Sequence, residues 1–228
     1  MKPRLSKKRN AAMTLFEVGV VVAIVMILVV LLLPRIARPR RAYAGIDCGN
    51  NLKQVGLAYR IWEGDNGDIY PMGISVASGG SMEMVATGNV LQTFMVMSNE
   101  LSTPKILFCP EDKTRTWPTA GWPTNEFASL SASNLSYFVG VDVTNDTANP
   151  KMFLSGDCNF VIGGVPVKPG LRSFWTNDPI GWTATRHLNP GNYGNIGFAD
   201  GSVQQMTSTS LRNYLQLTGL ATNRFAIP

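Results

Sequence analysis

Histidine is almost missing from this chain of 228 residues; His187 is the single one. One imidazole excludes multi-histidine metal sites and leaves little general acid–base chemistry. Cysteine is scarce too. Cys48, Cys109 and Cys158 are too few and too scattered for a thiolate metal site or a disulfide scaffold, and they allow one bridge and one leftover thiol. No acid occurs in the first twelve residues, and no charge or polar side chain interrupts Val18–Leu33. Neither an internal repeat nor a long low-complexity linker is present. The length therefore accommodates one apolar segment and one modest globular domain.

The charge that is present is unevenly placed. The formal net charge of +5 comes from Lys2, Arg4, Lys7, Lys8 and Arg9; without them the count is 15 basic against 15 acidic residues. A second basic group, Arg35, Arg38, Arg40 and Arg41, follows the apolar run, where lipid headgroup phosphates would lie. The remainder shows no basic face, so no nucleic-acid partner is indicated.

A basic stretch followed by an apolar run suggests a secretory signal, but the run ends in Leu33-Pro34-Arg35, without the small residues that such a signal needs for cleavage. Glu17 stands one residue before the run, where a carboxylate in an apolar surrounding costs a few kcal/mol unless it is paired. Met13–Leu33 would make about 31 Å of helix, enough for one bilayer crossing, and Pro34 is expected to kink that helix at its exit. After the arginines, Cys48, Leu52, Val55, Tyr59 and Trp62 recur at alternating spacings of four and three. This is the stripe of a second helix from about Asp47 to Trp62, stopped by Gly64-Asp65-Asn66-Gly67-Asp68.

Strands are expected at Ile106–Cys109, Ser136–Asp142, Met152–Asp157, Asn195–Ala199 and Ser202–Met206, with a short helix over Ser210–Leu217 stopped at Gly219. Asp200-Gly201 between the last two strands is a strong hairpin signal. Asp142, Asn145 and Asp146 form an oxygen-rich loop, a secondary candidate for calcium; otherwise no cofactor is expected. No serine sits in a Gly-x-Ser-x-Gly turn and no cysteine context suggests a nucleophile, so a tethered hydrolase is disfavoured and the chain reads as a non-enzyme.

The junction Ala11-Ala12-Met13-Thr14-Leu15-Phe16-Glu17 resembles the amino-terminal signature of type IV prepilins and of the pseudopilins of type II secretion. Ala12 stands where that family usually has Gly, and Met13 where it usually has Phe. The resemblance implies that a prepilin peptidase cuts between Ala12 and Met13 and methylates Met13, and that Glu17 pairs with the freed amine of a neighbouring subunit during assembly. A proline at the position of Pro34 is also frequent in pilin-like chains. Further stretches are similar to a group of prepilin-type proteins from planctomycete- and verrucomicrobia-type bacteria. They are Cys48–Ala58, Asn66-Gly67-Asp68 with Pro71, Met97–Lys105 leading into Cys109-Pro110-Glu111-Asp112, and a carboxy-terminal His187…Asp200-Gly201 segment. The segment matches imply a Cys48–Cys109 disulfide, with Cys158 free. They also suggest a structural role for His187, Asp200 and Gly201 in fixing the hairpin.

The resulting expectation is an α+β chain in which a long amino-terminal hydrophobic helix forms a pilin-like spine packed on a small antiparallel-sheet head. Its parts are a basic leader at 1–12, a transmembrane and assembly helix at 13–33, a periplasmic half of the spine at 34–63 and the head at 64–228. The implied function is a structural subunit of a pilus-like or pseudopilus-like filament. The implied partners are other copies of itself, prepilin peptidase, inner-membrane secretion or pilus assembly machinery and membrane lipid. The implied place is the bacterial inner membrane, single-pass, with a cytoplasmic amino terminus and a periplasmic head, extracellular once assembled. The alternative is a monomeric membrane-tethered binding domain that uses the prepilin signal for processing alone.

Overall fold

The computed structural model describes residues 15–36, 41–116, 127–184, 186–187 and 192–228. Two compact units result, one ending at Arg40 and the other running from Arg41 to Pro228.

In the first unit, helix α1 spans Leu15–Ile36. β-Branched residues dominate it, which alone would disfavour a helix, and Glu17 lies in its first turn. Pro34 falls within the last turn rather than at a break. The side chains described, residues 15–30, are all exposed, including Leu15 at 92% and Phe16 at 80%.

The second unit opens with α2 (Arg41–Asp65). Its apolar stripe is the one read from the spacing: Cys48, Leu52, Val55, Tyr59 and Trp62 are all buried, whereas Leu57 and Ile61 between them stay exposed. The helix ends where Gly67 and Asp68 adopt positive φ and Asn66 and Asp68 donate their N–H groups to the Glu63 carbonyl. A run of short helices follows, α3 (Met82–Val85), α4 (Val90–Val96) and α5 (Ser98–Leu101). Among the described residues nine strands come next: β1 (Tyr137–Gly140), β2 (Phe153–Asp157), β3 (Phe160–Ile162), β4 (Val165–Pro166), β5 (Gly170–Trp175), β6 (Ile180–Trp182), β7 (Tyr193–Phe198), β8 (Val203–Thr207) and β9 (Thr222–Ile227), with α6 (Ser208–Leu217) between the last two.

Six strands pair antiparallel in the order β5-β9-β1-β2-β7-β8, and three in the order β4-β3-β6. The larger sheet is covered on both faces, as the alternation of its strands shows. Val139, Leu154 and Ala226 face a core shared with Val55, Tyr59 and Trp62 of α2 and with Phe94 of α4. Their neighbours Phe138, Phe153 and Phe225 enter a second core with Phe160, Phe174 and Trp182, closed by Leu211 and Leu215 of α6. Phe225 lies at its centre, with ring centroids 4.6 Å from Phe138 and 5.1 Å from Phe174.

Three expectations are corrected here. The chain is α+β with antiparallel strands, but the long apolar, membrane-spanning spine is not among its described elements; within the second unit the helix that packs on the sheet is α2. Among the described residues no helix is long and apolar enough to cross a membrane. That finding overturns the transmembrane helix and, with it, the single-pass inner-membrane location. Third, Ile106–Cys109 is not a strand. Pro104 presets φ for the 3-10 turn Pro104–Leu107, and the Thr103 hydroxyl accepts the Lys105 N–H at its start.

Candidate functional site

The most concentrated chemistry of the second unit lies beneath the amino-terminal half of α2, where β1, β2 and β7 meet the segment after the Pro104–Leu107 turn. Cys48 of α2 and Cys109 are joined by a disulfide, and Cys158 is a free, buried thiol. Around the bridge stand four ionisable side chains that are at most 3% exposed: Asp112, Asp157, Arg186 and His187.

Arg186 holds the group together. It donates to Asp112, to Asp157 Oδ1 at 3.4 Å and to the Ser136 carbonyl at 3.0 Å. Burial works against its charge, but Cys158, Asp157 and Asp112 outweigh that and push its pKa up. Asp112 is further fixed by the Thr114 N–H at 3.0 Å and the Thr114 hydroxyl at 2.6 Å. Asp157, at the end of β2, accepts three hydrogen bonds on Oδ2: from Asn195 N–H at 2.7 Å, Asn195 Nδ2 at 3.0 Å and His187 Nε2 at 3.1 Å. Burial would raise the Asp157 pKa, but the His187 hydrogen bond, the Arg186 charge and the Asn195 N–H together bring it below the usual carboxylate range. Asp157 is therefore ionised and purely an acceptor, which places the shared proton on His187 Nε2.

The same nitrogen lies 3.7 Å from Cys109 Sγ. The imidazole stacks on Tyr193 with centroids 5.0 Å apart, and its Nδ1 has no partner among the described residues. The backbone of His187 sits at φ +56, a left-handed conformation that the buried contacts must hold in place. Cys48, Cys109 and His187 are the one group of three potential metal-ligating residues among the described residues, with their ligand atoms all within 4.8 Å of one another.

The residues singled out by sequence are distributed as follows. Ala12 and Met13 lie outside the described residues. Glu17 and Pro34 are both in α1. Cys48 and Cys109 come together, and His187 joins them, but His187 and Asp200 serve different places. Asp200 caps the β7–β8 turn by accepting the Ser202 N–H at 2.8 Å, and Gly201 supplies the φ of +80 that the turn requires. In the proposed calcium loop, the Asp142 carboxylate accepts from the Arg224 backbone and guanidinium, the Asn145 side chain accepts the Ala148 N–H, and Asp146 pairs with Arg60 at 2.7 Å. Sequence reading missed Asp112, Arg186 and Asn195. Their signal is an acid three residues after Cys109 and an arginine beside the lone histidine, which becomes informative only once the two segments are known to meet.

No protein-family model matches the chain, and neither the curated proteins nor the solved structures give a match.

Proposed function

We propose that the chain is a structural subunit of a pilus-like or type II secretion pseudopilus-like filament, made as a precursor that prepilin peptidase trims to Met13. The observation that carries this reading is α1. Val18, Val21, Val22, Ile24, Val25, Ile27, Leu28 and Val30 are exposed around the whole circumference of one helix. A helix that is apolar on every side is stable only when fully covered. Copies of the same helix meet that need in a repeating stack, where β-branched surfaces interlock. Glu17 is the one charged residue among residues 15–30. In the stack its carboxylate pairs with the amine freed at Met13 of a neighbour, so that the stagger between copies is fixed by charge. The prepilin-like junction supports this arrangement, and the disulfide-closed, doubly covered sheet is a durable body for a subunit under load.

The test is intact mass and electron microscopy of the protein purified from cells that carry a prepilin peptidase. The mature chain should begin at Met13, carry one extra methyl group and form filaments, and Glu17→Ala should abolish the filaments while leaving the circular dichroism unchanged. A native protein that starts at Met1 would sink the proposal, as would Glu17→Ala filaments indistinguishable from the parent's.

A further inference from the structure

The bridge between Cys48 and Cys109 occupies a corner that has more donors than a bridge needs. Both sulfurs are fully buried, and His187 stands against one of them at 3.7 Å. Tetrahedral zinc holds sulfur at about 2.3 Å and nitrogen at about 2.0–2.1 Å, so its ligands stand roughly 3.5–3.8 Å apart. The His187–Cys109 spacing already meets that distance. Asp112 and Asp157 are buried beside this corner and already balanced, by Arg186 and, for Asp112, also by Arg115 at 4.0 Å, so the donor set itself must hold the ion. His187 Nδ1, without a partner among the described residues, can take up the ring proton when Nε2 becomes a ligand.

We propose that reduction of the Cys48–Cys109 disulfide turns this corner into a site for a thiophilic divalent ion of the zinc class, bound by the two thiolates and the His187 imidazole. The electrons come from a dithiol. One of its thiolates attacks a sulfur of the bridge, and the S–S bond breaks to a mixed disulfide. The second thiol resolves it, leaving Cys48 and Cys109 as thiols and the reductant as a cyclic disulfide. The ion then displaces the two thiol protons. The His187 proton moves from Nε2 to Nδ1, and Asp157 Oδ2, 3.1 Å from Nε2, faces the bound ion and offsets its charge. The covalent bridge and the metal bridge tie the same two segments, α2 and the loop at Cys109, so the head keeps its closure in either redox state. This site is independent of the filament reading, because it involves the second unit alone.

The experiment titrates cobalt(II), as a spectroscopic stand-in for zinc, into the full chain. The protein is first reduced with dithiothreitol and freed of it without oxygen. The expected result is one equivalent bound with thiolate-to-cobalt charge-transfer absorption and tetrahedral ligand-field bands, displaced by zinc and absent from the oxidised protein. Cys158→Ser should leave the spectrum intact, whereas Cys48→Ser should remove the paired-thiolate signature. His187→Asn keeps a residue that tolerates positive φ and should weaken binding more than about tenfold. The proposal is overturned if the reduced chain retains its circular dichroism yet gives no thiolate–cobalt bands, or if His187→Asn binds as tightly as the parent. It is equally overturned if the reduced chain stays unfolded with the metal present.

Discussion

Arg186 holds the most concentrated set of buried charges among the described residues. It is the common partner of Asp112 and Asp157, all three of them buried. Arg186→Leu would leave Asp112 with Arg115 alone, at 4.0 Å, and Asp157 with His187 alone, at 3.1 Å, and removing one partner of a buried pair costs about 3–5 kcal/mol. Urea unfolding followed by circular dichroism should show a midpoint lowered accordingly. Glu63, near the end of α2, gives a milder and pH-dependent case. Burial is the chief cause that raises its pKa above 4.5, and the charges of Asp146 and Asp68 add to it, against the lowering by the Asp146 N–H and by Arg60. A carboxyl with a raised folded pKa contributes stability that is fully present below its unfolded value and is lost as pH rises through the folded one. Glu63→Gln keeps an acceptor for the Asp146 N–H, 3.1 Å from Oε1. The variant should therefore melt higher than the parent at neutral pH, and the difference should vanish once the pH falls below 4.5. Thermal scans across that range check both halves. None of these partnerships was legible from the chain, because Asp112, Asp157 and Arg186 are far apart in sequence and their meeting depends on how β2 and the Cys109 loop are brought side by side.

At the scale of elements, two ties hold the second unit together. The disulfide closes a loop of 61 residues between α2 and the Cys109 segment, so Cys109→Ser should cost about 2–5 kcal/mol, and the loss should be matched by reducing the parent protein under metal-free conditions. Paired thermal scans with and without reductant and chelator provide the comparison. The aromatic core is the second tie. Phe225→Ala removes a ring at the centre of a cluster with Phe138, Phe153, Phe160 and Phe174, and should destabilise by about 3–5 kcal/mol in denaturant unfolding. Elements with a strong local signal were readable: the 4-3 stripe of α2, the strands β1, β2, β7 and β8, the Asp200-Gly201 turn and α6. The strands β3 to β6 and β9 were not. Gly170–Trp175 and Thr222–Ile227 mix arginine, serine, asparagine and glycine with apolar residues. They become strands because each supplies the other's hydrogen bonds, with Gly170 opposite Ile227 and Trp175 opposite Thr222. In the opposite direction, Ile106–Cys109 carries β-prone residues, but Pro104 and Thr103 start a 3-10 turn that overrides them.

For the whole molecule, the unresolved burden is the apolar surface of α1, and the filament proposal assigns it to other copies. A charge placed in the middle of that surface tests the idea at the scale where it belongs. Val22 is 55% exposed in the single chain, so Val22→Lys should leave the fold of the second unit unchanged. It should reduce self-association at least tenfold, because an unpaired ammonium buried between helices costs several kcal/mol. Analytical ultracentrifugation of the full-length chain beside the parent measures this, and equal association would count against packing through that face. The sequence alone determined the local and periodic features: the uninterrupted apolar run, the buried stripe of α2, the hairpin turn and the basic clusters, each set by neighbours within a few residues. Tertiary structure decided which of those features come together. Within the second unit it placed the sheet on α2, covered both faces of that sheet, and drew a lone histidine, two acids and an arginine to the disulfide. Those outcomes depend on contacts between segments tens of residues apart, and the energy that selects them comes from burying faces that no local pattern identifies as partners.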